Sequence, residues 1–225
     1  MSDYYSRHLS ADRLQRVYEI ASPRVKQYFE AEISYAQQKI QPNDMVLELG
    51  CGYGRVLPSL AHCARLVVGI DTSLSSLMLG QKLLKGYSNC LLLQMDASKL
   101  SFLDATFDIV LCIQNGISAF HVDQRKLIQE SIRVTKPGGS LLFSSYSEKF
   151  WQYRLEWFQR QSDEGLLGEI DYERTKNGLI VCKDGFTATT VTGEQFLALA
   201  KDLPVESKII EVDDSCIVCE MQVYH

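Results

Sequence analysis

No stretch of this 225-residue sequence is long and apolar enough to cross a membrane as a helix. The longest uninterrupted apolar runs, such as Ile109 to Ile113, have the length of a strand, against roughly 20 residues for a spanning helix. Proline is scarce at five residues and glycine ordinary at fourteen, which excludes collagen-like and low-complexity chains. A surplus of positive charge is also missing. With 23 basic and 28 acidic side chains the formal net charge is -5, so no general attraction to nucleic acid or to an anionic membrane surface is expected. The segment Met1-Ser2-Asp3-Tyr4-Tyr5-Ser6-Arg7-His8 lacks the charged-then-apolar order of a secretory signal, and the expected address is cytoplasmic. Seven cysteines, an odd number set mostly in apolar runs, fit free thiols acting as small hydrophobes. Cys216-Ile217-Val218-Cys219 has the spacing of a redox or zinc pair. It lies in a predicted strand, where residues three apart face opposite ways, and no second pair or histidine is near, so no metal is expected.

What is present is an ordinary globular composition, 46% apolar, 23% charged and 10% aromatic, in a chain of the length of one large α/β domain. Ser10 reads as a cap for a helix over residues 11–21, and Ser22-Pro23 opens a second helix whose apolar spacing continues to Ile40. Strands are predicted at Met45 to Leu49, Leu66 to Ile70, Cys90 to Met95, Ile109 to Ile113 and Ser140 to Ser145. Helices fill the gaps at Arg55 to His62, Leu74 to Leu84 and Gln124 to Val134. Near-continuous apolar strands alternating with helices imply a mostly parallel sheet covered on both faces. After Tyr146 an aromatic-rich helix over 150–158 precedes strands around an Asn177-Gly178 turn within 171–190, which reads as an insertion. Thr192 caps a short helix over Gln195 to Ala200, and Lys208 to Val212 with Cys216 to Tyr224 close the sheet. The expectation is one domain over 1–225: an N-terminal helical segment (1–41), an alternating core (42–147), an insertion (148–191) and a closing helix and strands (192–225).

The sharpest chemical signal is Glu48-Leu49-Gly50-Cys51-Gly52-Tyr53-Gly54, a strand running into alternate glycines and then a helix. Such glycines let the chain turn tightly and let a ligand approach the backbone; a plain strand-to-helix turn is the competing reading. The third glycine comes one residue too early for a dinucleotide fingerprint, and Arg55 takes the fingerprint's last place. Glu48 suits a ligand with an ammonium group better than a pyrophosphate. Asp71, followed by Thr72, ends the second strand where acidic side chains accept from ribose hydroxyls, and Asp96 ends the third, suited to the exocyclic amine of an adenine. Either aspartate alone is equally a helix cap. Three acids at the carboxyl ends of three consecutive strands mark the edge at which ligands of open α/β sheets bind.

On these residues, together with Phe107-Asp108-Ile109-Val110 and Lys136-Pro137-Gly138-Gly139, the segment from Asp44 to Tyr146 resembles the class I S-adenosylmethionine-dependent methyltransferases. The likeness is to the broad small-molecule group that contains ubiquinone-pathway C-methyltransferases. The resemblance implies a Rossmann-like fold with a seven-stranded sheet and S-adenosyl-L-methionine as cofactor, leaving S-adenosyl-L-homocysteine as product. It further implies that Glu48, Gly50, Cys51, Gly52 and Gly54 hold the methionine portion, Asp71 and Thr72 the ribose, and Asp96 and Ala97 the adenine. Ile113 and Gln114, where strand four ends, would lie beside the methyl group. The Asn115 to Phe120 stretch is faintly similar to glycine N-methyltransferases. No Asn/Asp-Pro-Pro-aromatic motif is present, which with the acidic charge argues against nucleic-acid bases as acceptors.

The expected function is methyl transfer to a small-molecule acceptor by in-line displacement, with no obvious catalytic dyad. His121, Asn115 and Tyr146 are the candidate catalytic residues, and a surface histidine starting a helix is the competing account of His121. Trp157 is expected in the core, Trp151 is open between core and site, and Tyr4 and Tyr5 are candidates to close over the cofactor. Two alternatives remain at this stage: an NAD(P)-dependent oxidoreductase, and an S-adenosylmethionine-binding partner subunit without catalysis. Acceptor and oligomeric state are not legible.

Overall fold

A computed structural model of the protein describes residues 9–224, so Tyr4 and Tyr5 lie outside the described residues. Two helices come first, α1 (Asp12–Glu19) and α2 (Pro23–Gln37). The alternating region follows as β1 (Met45–Leu49), α3 (Leu57–Ala61), β2 (Leu66–Asp71), α4 (Leu74–Leu83), β3 (Cys90–Gln94), β4 (Phe107–Cys112), α5 (Gly116–Ala119), α6 (Gln124–Val134) and β5 (Thr135–Tyr146). A 3-10 turn (Glu148–Phe150) leads into α7 (Trp151–Asp163), and the chain continues through β6 (Ile180–Val181), β7 (Thr187–Ala188), α8 (Gly193–Ala200), β8 (Val205–Val212) and β9 (Cys216–Val223).

Seven strands form one sheet in the order β3-β2-β1-β4-β5-β9-β8. The five from β3 to β5 are parallel, while β9 runs antiparallel to both β5 and β8. Chain order reverses between β1 and β4, and the crevice outside the carboxyl ends of such a pair is where an open α/β sheet binds its ligand. Two apolar layers sandwich the sheet. Val68, Ile70, Val110, Leu141 and Phe143 belong to one, and Val46, Val67, Ile109, Leu111 and Leu142 to the other. That is why these strands read as unbroken apolar runs. β3 departs from this: it is the edge strand, and Leu91 and Leu93 are exposed. Cys216 and Cys219 fall in different apolar clusters on opposite faces of β9, both thiols raised by burial, so the pair cannot share a ligand.

The base of the sheet is pinned by Asp108, whose Oδ2 accepts from the Met45 N–H (2.8 Å) and Oδ1 from Lys136 Nζ (2.7 Å). The Asp108 and Lys136 motifs thus fasten β1, β4 and β5 at the end away from the crevice. The first helix starts one residue later than Ser10 capping predicts. Ala11 has a left-handed φ of 50° and donates its N–H to Ser76 Oγ (2.9 Å), while Ser10 Oγ accepts from Ser75 Oγ (3.2 Å). Ser10 therefore joins the lid to α4. The helix after the glycine loop likewise begins at Leu57, beyond the left-handed Gly54.

In the insertion, Asn177 and Gly178 make the expected tight turn with φ of 52° and 78°, but only a single bridge, Lys176 to Leu179, flanks it. The paired strands β6 and β7 close around a second turn that contains Gly185. Arg154 of α7, completely buried, organises this region by donating to the carbonyls of Gly178 (2.6 Å) and Ala188 (3.0 Å). The lid is tied to the same helix. Trp157 Nε1 donates to Val17 O (3.0 Å), Arg13 to Gly165 O (2.8 Å), and Arg16 pairs with Glu164 (2.9 Å).

Candidate active site

A cavity of about 430 Å³ opens at the carboxyl ends of β1, β2 and β4, roofed by α1 and walled on the far side by α7. Its size falls in the range of small-molecule and cofactor pockets. The glycine loop forms the floor. Gly50 and Gly52 have φ of 69° and 56°, a conformation that costs a side-chain-bearing residue free energy. A Cβ at Gly50 would run into the Phe120 ring, and one at Gly52 into Leu14 of the lid. The loop is thus bare backbone facing side chains able to move aside, which suits a ligand laid on it.

Asp71 is held by the backbone. Its Oδ2 accepts from the Gly52 N–H and its Oδ1 from the Ser73 N–H, both at 2.8 Å, which locks the carboxylate beside the loop at the cavity wall. The helix cap is Ser73, which accepts from Ser76 N. Asp96 serves its own turn with one oxygen, Oδ1 accepting from Ser98 N–H and Oγ at 2.7 Å, and lines the cavity beside Ala97.

Glu48 is the most strained in electrostatic terms. It is 4% exposed, lines the cavity, and its Oε2 has no hydrogen-bond partner. Burial pushes its carboxyl up to about 8, with Arg55 opposing the rise and Asp71 and Glu32 adding to it. An orphaned buried carboxylate oxygen is a standing demand for a donor. Glu32, reaching in from α2, accepts the Gln114 N–H with both oxygens at 3.1 Å and is pushed up to about 7, again chiefly by burial. Arg55 stacks over Tyr18 (4.3 Å) and Phe29 (4.9 Å), with Nε and Nη2 buried and without partners.

Most of the residues singled out in the sequence converge here. Glu48, Gly50, Cys51, Gly52, Asp71, Thr72, Asp96, Ala97, Ile113, Gln114, Tyr146 and His121 all line the cavity. Gly54 does not; it turns the chain below the loop, its N–H bonded to Cys51 O (2.8 Å). Asn115 does not line the cavity either. Its Nδ2 donates to Thr189 O (2.9 Å), its Oδ1 accepts from Ser145 Oγ (2.8 Å), and Ser145 Oγ accepts the Val191 N–H (2.9 Å). Asn115 is a strut between the β4 loop and the insertion. His121 is exposed at the rim with φ of 53°. Tyr146 is buried under the Arg154 guanidinium, 4.6 Å from its ring. Trp157 of α7 packs against the lid and also touches the cavity.

Glu32, Arg55 and Gln161 escaped the sequence reading as site residues. Only Arg55 carried a signal, its place directly after the third glycine. Glu32 and Gln161 are polar residues on helices whose buried faces cannot be told from sequence when the apolar stripe is this broad.

The donor set fits S-adenosylmethionine. Glu48 offers an unmet acceptor for an ammonium group, Asp71 a clamped carboxylate for ribose hydroxyls, and Asp96 with Ala97 an edge for adenine. Comparison with known proteins agrees. Residues 46–139 match the family model described as a methyltransferase domain. Demethylmenaquinone methyltransferase of Corynebacterium urealyticum is 35% identical over 108 residues, 48% of this chain and 44% of that protein. Ubiquinone biosynthesis O-methyltransferase of Coxiella burnetii is 29% identical over 124 residues, 54% and 52% of the two chains. The chain spans about half the length of these curated relatives. Among solved structures, the N-methyltransferase NodS of Bradyrhizobium japonicum, in complex with S-adenosyl-L-homocysteine, superposes with a TM-score of 0.67 at 15% identity over the whole of both chains. The PH0226 protein of Pyrococcus horikoshii gives 0.66 at 22% identity over 99% of each. The fold is that of the class I S-adenosylmethionine-dependent methyltransferases, and residues 46–139 carry their methyltransferase domain.

Proposed function

We propose that the protein is an S-adenosylmethionine-dependent methyltransferase acting on a small-molecule acceptor. The observation that carries this reading is the unpartnered Glu48 carboxylate oxygen, buried at the glycine loop beside the clamped Asp71. A pyrophosphate there would meet the Asp71 carboxylate and hold Glu48 in its protonated form, whereas the ammonium group of an amino-acid-bearing nucleoside favours ionised Glu48 as its acceptor.

When bound, the cofactor supplies a sulfonium methyl, already activated toward in-line displacement. The chain's work is then chiefly proximity and orientation. Glu48 accepts from the ammonium group, Asp71 positions the ribose, Asp96 and Ala97 fix the adenine edge, and Gly50 and Gly52 leave room for the methionine portion. Ile113 and Gln114 close the floor beside the reacting centre, Gln114 held by Glu32. Amine or thiolate acceptors need no general base, whereas a hydroxyl or carbon acid does. Tyr146 and His121 are the candidate bases that line the cavity, and Asn115 acts as a strut. The unit over 1–225 divides in this reading into lid (1–41), core (42–147), insertion (148–191) and closing segment (192–225).

Calorimetric titration with S-adenosylmethionine, S-adenosylhomocysteine and NAD(H) tests the proposal. Micromolar binding of the first two is the expected result; binding of NAD(H) alone would overturn it in favour of an oxidoreductase. Turnover with an acceptor separates an enzyme from a cofactor-binding partner subunit.

A further inference from the structure

The two edges of the sheet differ. β8, at one end, carries Glu206, Lys208 and Glu211, charges of the kind that keep an edge strand from pairing with another chain. β3, at the other, runs Cys90-Leu91-Leu92-Leu93-Gln94, with neither charge nor proline from Tyr87 to Met95. Residues 95–106, which join β3 to β4, form no helix, and Leu91 and Leu93 are left 47% and 39% exposed. These two face the same way, opposite Leu92, whose side chain lies against Gly80 of α4. The pairing with β2 fixes which backbone groups of β3 point outward. Val67 donates its N–H to Asn89 O (2.9 Å) and Met95 donates to Asp71 O (3.1 Å), so the odd-numbered residues bond to β2. Leu92 and Gln94 therefore turn N–H and C=O to the open edge, and Cys90 its C=O, the Cys90 N–H going to Tyr87 O (3.3 Å). On α4, Ser76 accepts from the Ala11 N–H and Gly80 lies against Tyr53 O, which turns that flank to the lid and the glycine loop. Leu74 and Met78, both exposed, stand two residues either side of Ser76 and so about 200° round the helix, on the flank toward the free edge.

We propose that β3 is the seam of a homodimer, in which a second copy of this chain pairs antiparallel with it about a two-fold axis through Leu92 and the two sheets become one. Leu92 exchanges both N–H···O bonds with its counterpart, and each Gln94 N–H donates to the Cys90 C=O across the axis. In that register Leu91 stands opposite Leu93 of the second copy on either side of the axis, in the non-hydrogen-bonded pairing that brings side chains closest. The same axis, perpendicular to the sheet, sets the Leu74 and Met78 flanks of the two α4 helices side by side on the other face. Self-complementarity singles out a second copy over an unrelated strand. A single rotation satisfies the outward backbone groups and covers apolar surface on both faces of the sheet, as an isologous interface requires, and the uncharged span from Tyr87 to Met95 sets no like charges against its own copy. Leu74, Met78 and residues 90–94 do not line the cavity, so the seam is separate from the methyl-transfer site.

Sedimentation velocity on the full chain between about 1 and 100 µM is the test, and a dimer is expected to dominate at the upper end. Leu91→Lys combined with Leu93→Lys sets like charges across the seam and is expected to weaken dimerisation at least about tenfold. Leu197→Lys, at an exposed leucine of α8, is expected to leave it unchanged. Leu91→Lys combined with Leu93→Glu brings opposite charges face to face only in the antiparallel register centred on Leu92, and is expected to dimerise more tightly than the double-lysine variant at low salt. Hydrogen exchange on the natural protein serves if the double-lysine variant fails to fold: the Leu92 and Gln94 amides are expected to be protected in the dimer. Natural protein that stays monomeric at the upper concentration would overturn the proposal. So would a dimer indifferent to the double-lysine substitution, a lysine–glutamate variant that dimerises no more tightly than the double-lysine one, or free exchange of the Leu92 and Gln94 amides in dimeric protein.

Discussion

Glu48 shows how a functional residue is held at a cost to the fold. Its carboxyl, ordinarily near 4.5, is raised to about 8 in the folded protein by burial. Between those values the unfolded chain releases the proton and the folded chain keeps it, so folding stability falls as pH rises across that window. Glu32, raised to about 7, acts in the same direction over a narrower range. Glu48→Gln is therefore expected to raise the midpoint of thermal unfolding at pH 8 while leaving it nearly unchanged at pH 4, and to weaken cofactor binding by about 1 to 3 kcal/mol. Thermal denaturation at the two pH values, with calorimetry beside it, checks both halves. Asp71→Ala removes a carboxylate clamped by two N–H groups and is expected to cost cofactor affinity about 1 to 3 kcal/mol; unchanged affinity would remove Asp71 from the ribose site. These two acids were legible because each stands at the carboxyl end of a strand two residues before a glycine or a helix cap, where chain direction alone places them on the ligand edge. Glu32 and Gln161 were not, because their partners lie 82 residues away or are absent, and nothing local marks them.

At the level of elements, the alternating core is legible because burial on two faces leaves an unmistakable apolar run, as in Ile109 to Ile113. β3 is the exception that defines the rule. As the edge strand it keeps the β-forming sequence but leaves Leu91 and Leu93 exposed, and sequence alone does not reveal which of five parallel strands is outermost. The insertion was the least legible element. Its geometry depends on Arg154 reaching two carbonyls, 24 and 34 residues further along the chain. Arg154→Met preserves much of the side-chain length but leaves those buried carbonyls without their charged donor. It is expected to destabilise the protein by about 3 kcal/mol, measured by urea denaturation. Asn115→Ala cuts the strut between the β4 loop and the insertion. Its expected signature is faster proteolysis within residues 171–190 at nearly unchanged cofactor affinity, since Asn115 does not line the cavity.

Over the whole molecule, the cavity collects residues from Leu9 to Gln161, so a ligand that fills it links the lid, the sheet and α7. S-adenosylhomocysteine at about a hundred times its dissociation constant is expected to add about 2.7 kcal/mol to the unfolding free energy, a rise of several degrees in the thermal midpoint. A midpoint that does not move would argue that the cavity is not the cofactor site. The fastening of the lid has a further consequence for how the molecule is made. Val17 leaves the ribosome well before Trp157, its partner across 140 residues. At roughly 5 to 20 residues per second, the apolar face of the lid waits on the order of 10 to 30 seconds for the helix that covers it. During that interval the half-made chain offers a sticky amphipathic segment to chaperones and to neighbouring nascent chains, so the speed of translation through the core is part of what decides how much of this protein reaches its native state.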